Sequence, residues 1–242
     1  MPEPKPTVVI LCGGRGTRIQ EHSAETPKPL IEIGGRAIVW HVIGMYRAHG
    51  FQRFLLLIGY RGEQVRAFVA GESWPSGVVI DCLDTGTDTA TGERLLRAAP
   101  ALAREERFCL AYADGVADID LAALLAHHRC HGAAATMAVV RPRLPFGVAR
   151  LGGSGAVLAF SEKPRSALWV NAGFFCFERS ALAALEPGSV LEREPLERLA
   201  AGGELRAYRH EGFWECMDTY KDWITLNELW DGGRAPWVSE LN

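Results

Sequence analysis

Residues 7–18, TVVILCGGRGTR, decide the fold. An apolar, β-branched run over 7–12 leads straight into Gly13-Gly14 and the basic stretch Arg15-Gly16-Thr17-Arg18. A run apolar at every position suits a strand buried on both faces, as in a parallel sheet covered by helices. In such sheets ligands sit beyond the carboxyl ends of the strands. Glycines there let backbone N–H groups approach phosphate oxygens with no Cβ in the way. Arg15 and Arg18 could then neutralise charge developing on a phosphoryl group. The spacing is not GxxxxGK[ST], and Ile19 breaks GxGxxG, so neither a P-loop nor a dinucleotide fingerprint is present. Taken alone, the segment also reads as a tight turn with solvated arginines.

Working outward, apolar runs at 54–58, 78–83 and 108–113 alternate with helical patterns at 37–49, 63–70, from 93 onward and at 121–131. Strands alternating with helices predict an α/β fold with a doubly wound sheet. Beyond residue 134 the texture changes. Strand patterns at 135–140, 148–151, 156–160 and 169–177 follow one another with short turns, then helical patterns at 180–185, 194–201 and 220–230. No repeat or linker divides the chain, so residues 1–242 read as one domain with a smaller β portion in its second half.

Composition narrows the possible partners. Lys plus Arg number 26 against 29 Asp plus Glu, a net −3, and no basic excess offers a general grip on nucleic acid. No apolar stretch approaches the ~18 residues of a membrane span, and the first six residues have no apolar signal core. The six cysteines form no CxxC pair, and five lie within or beside apolar runs, where a thiol packs as a small hydrophobe. A reducing cytoplasm is the expected compartment. His41, His127, His128 and His131 fall on predicted helices and read as surface or packing residues. Trp214, Trp223, Trp230 and Trp237 read either as a buried C-terminal face or as packing on the chain's own core.

A second motif, Thr26-Pro27-Lys28-Pro29-Leu30, fixes one lysine between two prolines, which suits a point-charge contact with phosphate. From there the motifs accumulate in order: GGRGTR (13–18), TPKPLIEIGGR (26–36), DTGTDTATGERLLR (84–97), YADGVADID (112–120), FSEKP (160–164), NAGFF (171–175) and FWECMDT (213–219). Together they resemble the sugar-phosphate nucleotidyltransferases, and within that family the glucose-1-phosphate cytidylyltransferases, over residues 7 to about 237.

The resemblance implies a Rossmann-like, doubly wound mixed sheet of GT-A-like type, with residues 7–133 binding nucleotide and 134–242 binding sugar. It implies transfer of a nucleotidyl group from CTP to α-D-glucose 1-phosphate, with Mg²⁺ as cofactor, in a homo-oligomer. The other readings are a different pair, such as GTP with a mannose- or heptose-type 1-phosphate, and a non-catalytic regulatory subunit. Arg18, Lys28, Asp114 and Asp218 would be catalytic, the two aspartates holding the metal. Leu11, Gly13, Gly14, Arg15, Gly16, Thr17, Thr89, Arg94 and Ala113 would join Lys28 around the nucleotide. Glu162, Lys163, Asn171 and Gly173 would face the sugar phosphate. Singly, Asp114-Gly115 also reads as a turn, and Asp218 as the N-cap of the last helix. Three positions depart from the family pattern: Cys12, Glu93 and Ala113. A methyl at Ala113 would crowd the nucleotide if its φ were positive.

Overall fold

The structure is a computed structural model that describes residues 4–14 and 26–238. Strand β1 (Val8–Leu11) pairs in parallel with β4 (Arg53–Ile58) on one side and β6 (Arg107–Tyr112) on the other. Parallel β5 (Val79–Asp84) lies outside β4. Beyond β6, β11 (Val170–Glu178) runs antiparallel between β6 and β8 (Ala135–Val140), and β12 (Leu205–Arg209) closes that edge parallel to β8. The result is a seven-stranded mixed sheet in the order β12-β8-β11-β6-β1-β4-β5. Three short antiparallel pairs stand outside it: β2 (Glu32–Ile33) with β3 (Arg36–Ala37), β7 (Gly115–Ala117) with β13 (Trp214–Cys216), and β9 (Val148–Leu151) with β10 (Val157–Ser161).

The period of two along each central strand builds the layers. Val8 and Ile10, Phe54, Leu56 and Ile58, and Cys109 and Ala111 all join one core. Val9, Leu55, Leu57, Phe108 and Leu110 join the other. Helix α1 (Ile38–Ala48) covers the first face with Ile38, Val42, Ile43 and Met45, and α4 (Leu121–His131) adds Leu121, Leu124 and Leu125. Helix α3 (Thr91–Ala98) and α5 (Glu194–Ala201) cover the second with Leu95, Ala98, Leu196 and Leu199. Helix α2 (Gly62–Gly71) buries Val65, and α6 (Tyr220–Asp231) buries Leu226. Continuous apolar strands therefore follow from having helices on both sides.

Local signals set the ends. Asp120 caps α4, its carboxylate accepting from the Ala123 N–H at 2.8 Å, and Gly132 ends the helix at φ 67°. His41 is fully buried: Nε2 meets the Ile33 carbonyl at 3.0 Å, and Nδ1 accepts from Trp237 Nε1 at 3.2 Å. Burial pulls its pKa down to about 4, so it packs as a neutral ring among Trp40, Trp230 and Trp237.

Several elements differ from expectation, among them the short pairs β2 with β3 and β7 with β13, which no apolar run announces. Residues 180–185 form a 3-10 segment, Arg179–Ala184, rather than an α-helix. Strand β12 was not expected, because Arg206 and Arg209 interrupt its apolar pattern; it is an edge strand, where charge is tolerated and blunts further pairing. No helix among the described residues is long and apolar enough to cross a membrane.

Candidate active site

The chain leaves β1 towards β4 and β5 on one side and returns to β6 on the other, so the β1/β6 boundary is where the winding reverses. A cleft of about 400 Å³ opens beyond the carboxyl ends of these two strands. Leu11, Gly13, Gly14, Lys28, Thr89, Arg94, Ala113, Asp114 and Asp218 all line it, gathered from five of the seven motifs. Arg15, Gly16, Thr17 and Arg18 lie outside the described residues.

Lys28 begins a single 3-10 turn, Lys28–Leu30, between Pro27 and Pro29, closed by Leu30 N–H to Pro27 O at 2.8 Å and Ile31 N–H to Lys28 O at 3.1 Å. The prolines fix the backbone and send the side chain inward, 13% exposed. Its Nζ donates to Asp114 Oδ2 and to Asp218 Oδ1, both at 2.6 Å, from 86 and 190 residues away. Burial opposes the charge, but the Asp114 carboxylate and the hydrogen bonds to Asp114 and Asp218 hold the ammonium above the ordinary lysine range.

Ala113 and Asp114 do form a turn between β6 and β7, whereas Asp218 is not the N-cap of the last helix. Asp114 follows β6, and β7 starts at once at Gly115, so the carboxylate stands at the mouth of a buried strand. The N-cap of α6 is Thr219, which forms a reciprocal capping box with Asp222. Asp218 precedes the cap, leaving its carboxylate to Lys28. Cys216 is an addition that sequence reading took for packing. Its Sγ and carboxylate oxygens of Asp114 and Asp218 lie within 4.8 Å of one another, and burial, then Asp114, pushes its thiol pKa upward. Two carboxylates already gathered around one cation fit Mg²⁺, which takes one or two such ligands beside phosphates and waters.

Arg94 reaches the cleft but its hydrogen bonds go to the protein. It is 3% exposed, and Nη1 donates to Gly86 O at 2.6 Å, Thr85 Oγ1 at 2.7 Å and Ile58 O at 3.3 Å. Nη2 donates to Gly13 O at 2.9 Å and Thr87 O at 3.1 Å. A Cβ on Gly13 would sit 2.2 Å from Nη1, so the first glycine makes room for a protein guanidinium. In this arrangement Arg94 ties the loop after β1 to the segment before α3.

On the opposite wall a chain of polar groups fixes Tyr112. Its hydroxyl donates to Glu192 Oε1 at 2.6 Å and accepts from Asn171 Nδ2 at 3.1 Å; Thr91 Oγ1 donates to Glu192 Oε2 at 2.7 Å. Burial, followed by Glu192, raises the phenol well above its usual range. Asn171 therefore acts on the cleft through Tyr112. Gly173 sits at φ 81° in a register shift of β11, where a Cβ would be 2.8 Å from Tyr112 Cδ2, and its N–H donates to Asn171 Oδ1 at 2.8 Å. Tyr112 and Thr91 lie inside quoted motifs, but nothing local points to Glu192, 80 residues away from Tyr112.

Glu162 and Lys163 are not brought to the cleft. They follow the exposed β9–β10 hairpin with side chains 62% and 52% exposed, and pair with each other at 3.8 Å. Ala113 is not among the residues with positive φ, so its methyl does not carry the strain considered above. Glu93 pairs with Arg97 and accepts from Gly188 N–H at 3.2 Å, away from the cleft lining.

Comparison with known proteins gives the same frame. The family model described as "Nucleotidyl transferase" matches residues 7–225. The chain is 36% identical over 255 residues to the "Glucose-1-phosphate cytidylyltransferase" of Salmonella typhimurium (strain LT2), covering 95% of this chain and 97% of that one. It is 37% identical over 250 residues to the "Probable glucose-1-phosphate cytidylyltransferase" of Bacillus subtilis (strain 168), covering 95% and 98%. The crystal structure of HddC from Yersinia pseudotuberculosis superposes with a TM-score of 0.73 at 18% identity, over 93% of this chain and 99% of that one, which speaks for the fold.

Proposed function

The chain belongs to the nucleotidyl transferase family, and from that premise we propose that it transfers the cytidylyl group of CTP to α-D-glucose 1-phosphate, yielding CDP-glucose and pyrophosphate. The observation that carries this reading is the Lys28 ammonium held between the Asp114 and Asp218 carboxylates at the mouth of the cleft. The two full-length relatives support the substrate pair.

In the reaction a phosphate oxygen of the sugar 1-phosphate attacks the α-phosphorus of CTP. The new P–O bond forms as the bond from the α-phosphorus to the bridging oxygen breaks, and pyrophosphate leaves with that electron pair. The attacking oxygen is already anionic near neutral pH, so no strong base is needed and catalysis rests on position and charge. Mg²⁺ held by Asp114 and Asp218 would neutralise phosphate charge. Lys28 would exchange one carboxylate partner for a phosphate oxygen as substrate enters. Gly13 and Gly14 present backbone to the triphosphate, while Arg94 keeps that backbone in place. Arg15, Gly16, Thr17 and Arg18 complete the triphosphate cradle in this reading. Leu11, Thr89 and Ala113 line the nucleotide side. Asn171 and Gly173 set Tyr112, and Glu162 and Lys163 act on the sugar phosphate after the hairpin moves or is supplied by a second copy.

We further infer a cytoplasmic homo-oligomer. Both strands of the β9–β10 hairpin are exposed at every position and carry Val148, Leu151, Val157, Leu158 and Phe160. A lone two-stranded hairpin is marginal in water, and clustered apolar surface of this kind marks protein contact. The six free thiols suit a reducing compartment. The deciding experiment measures pyrophosphate release from purified protein with Mg²⁺, scanning four nucleoside triphosphates against several sugar 1-phosphates. CTP with α-D-glucose 1-phosphate is expected to be the best pair. Preference for GTP with a mannose-type phosphate would replace the substrate assignment, and nucleotide binding without turnover would replace the enzyme by a binding subunit.

A further inference from the structure

A second cavity, of about 210 Å³, lies at the β8 end of the sheet and shares no lining residue with the cleft. Its wall carries Arg141, Arg143 and Arg165 together with His210 and Glu215. On a chain of net charge −3, three guanidiniums around one hollow are a local excess.

The backbone forces two of them together. Arg143 and Arg165 form an isolated antiparallel bridge, flanked by Leu144 N–H to Pro164 O at 2.9 Å and Ser166 N–H to Pro142 O at 2.8 Å. They are thus a non-hydrogen-bonded pair, the position where facing side chains come closest, and like charges placed there repel. Nearby acids do little to relieve them. Glu211 is occupied by Arg141 Nη2 at 3.1 and 3.3 Å, and Arg165 reaches only its backbone carbonyl, at 3.2 Å. His210 is paired with Asp118 at 2.9 Å. Glu215 is pushed up to about 7 by burial and then by Asp222, so near neutral pH it supplies less than a full negative charge. Arg143 has no side-chain hydrogen bond or ion pair among the described residues, and the buried Nε–H of Arg141 has no acceptor. Arg141 and Arg209 each lie over the Trp169 ring, at 4.9 and 5.5 Å.

We propose that this cavity is a second anion site that takes the phosphate group of a small metabolite, bridged between Arg143 and Arg165. A tetrahedral oxyanion with several acceptor oxygens satisfies two opposed guanidinium forks at once and removes their repulsion. The volume leaves room for an organic group or a second phosphate beside the first. Free phosphate, pyrophosphate and a sugar phosphate share this chemistry.

Calorimetric titration with inorganic phosphate, at constant ionic strength set by chloride, tests the site in the full chain. Lys28→Gln removes a cleft cation, and Arg143→Gln/Arg165→Gln removes the bridge. Saturable phosphate binding that survives Lys28→Gln and weakens at least about tenfold in the double variant is expected, the size of one lost charge-assisted contact. Turnover of the double variant without phosphate should match the wild type. If the double variant misfolds, Arg143→Gln alone must still weaken binding, since Arg143 has no bonded partner to lose. Parallel titrations with pyrophosphate and α-D-glucose 1-phosphate on the Lys28→Gln background distinguish the sources. Binding lost in Lys28→Gln but intact in Arg143→Gln, or no saturable binding by the wild type, would overturn the proposal.

Discussion

Replacing Arg94 by methionine removes every donor of the guanidinium while leaving an unbranched side chain to fill the space. Not every carbonyl it serves is then stranded. Gly13 O still accepts from Tyr60 N–H at 3.2 Å, and Ile58 O from Thr85 N–H at 2.9 Å and Thr85 Oγ1 at 2.8 Å. Gly86 O and Thr87 O lose the donors that Arg94 gave them. Both are in part-buried bonds that water can partly replace, so each costs about 1–2 kcal/mol, in the lower part of the range for an unsatisfied group. The total is about 2–4 kcal/mol, which for a domain of this size lowers Tm by roughly 4–16 °C. Burial lowers the pKa of Arg94, so relief of its desolvation favours the lower end. Urea unfolding and a thermal scan read the stability, and nucleotide KM is measured on the same samples. A positioning role predicts the stability loss together with a fall in kcat/KM. An unchanged unfolding midpoint with a large rise in nucleotide KM would instead make Arg94 a direct nucleotide ligand and refute the loop-anchoring reading.

Lys28→Met should lower kcat by about 10²–10³-fold, the usual effect of one preorganised charge donor, with circular dichroism unchanged; near-normal turnover would remove Lys28 from the machinery. Gly173→Ala should destabilise by about 1–3 kcal/mol through positive φ and the contact with Tyr112, seen as a lower urea midpoint. His41 and His128 are both held near pKa 4 by burial, whereas the unfolded chain takes up these protons below about 6.5. Their contribution is therefore fully present above that pH and declines as pH falls towards 4; a urea midpoint equal at pH 7 and pH 5 would contradict it. Phe160→Glu on the exposed hairpin should reduce the oligomer's mass in light scattering, and an unchanged mass would place the contact elsewhere.

Much of the sheet was legible because its strands are buried on both faces. Residues 7–12, 54–58 and 108–113 are apolar at nearly every position, and runs this short, alternating with helical patterns, suit strands buried on both faces. Lys28 was legible because two prolines mark it as fixed, Asp114 because a strand end and a family motif coincide there, and Asp218 through the motif alone. What failed were positions whose partners lie far along the chain. Strand β12 carries arginines because it is an edge, and its pairing with β8 has no trace in its own five residues. Arg94 is placed at the nucleotide by resemblance alone, and its hydrogen bonds to the carbonyls of Gly13, Gly86 and Thr87 have no signature in the sequence around it.

The sequence by itself determined the layered α/β architecture, through apolar runs alternating with helical patterns, and singled out Lys28, Asp114 and Asp218, through motif order. Tertiary structure decided their relations: that one ammonium sits between two carboxylates, that Arg94 faces the loop it supports, that Glu192 fixes Tyr112, and that Cys216 lies beside the aspartates. Local patterns record what each residue's own backbone and burial require. Distances between segments 80 to 190 residues apart are set by how strands order themselves in the sheet, and no stretch of chain encodes that alone.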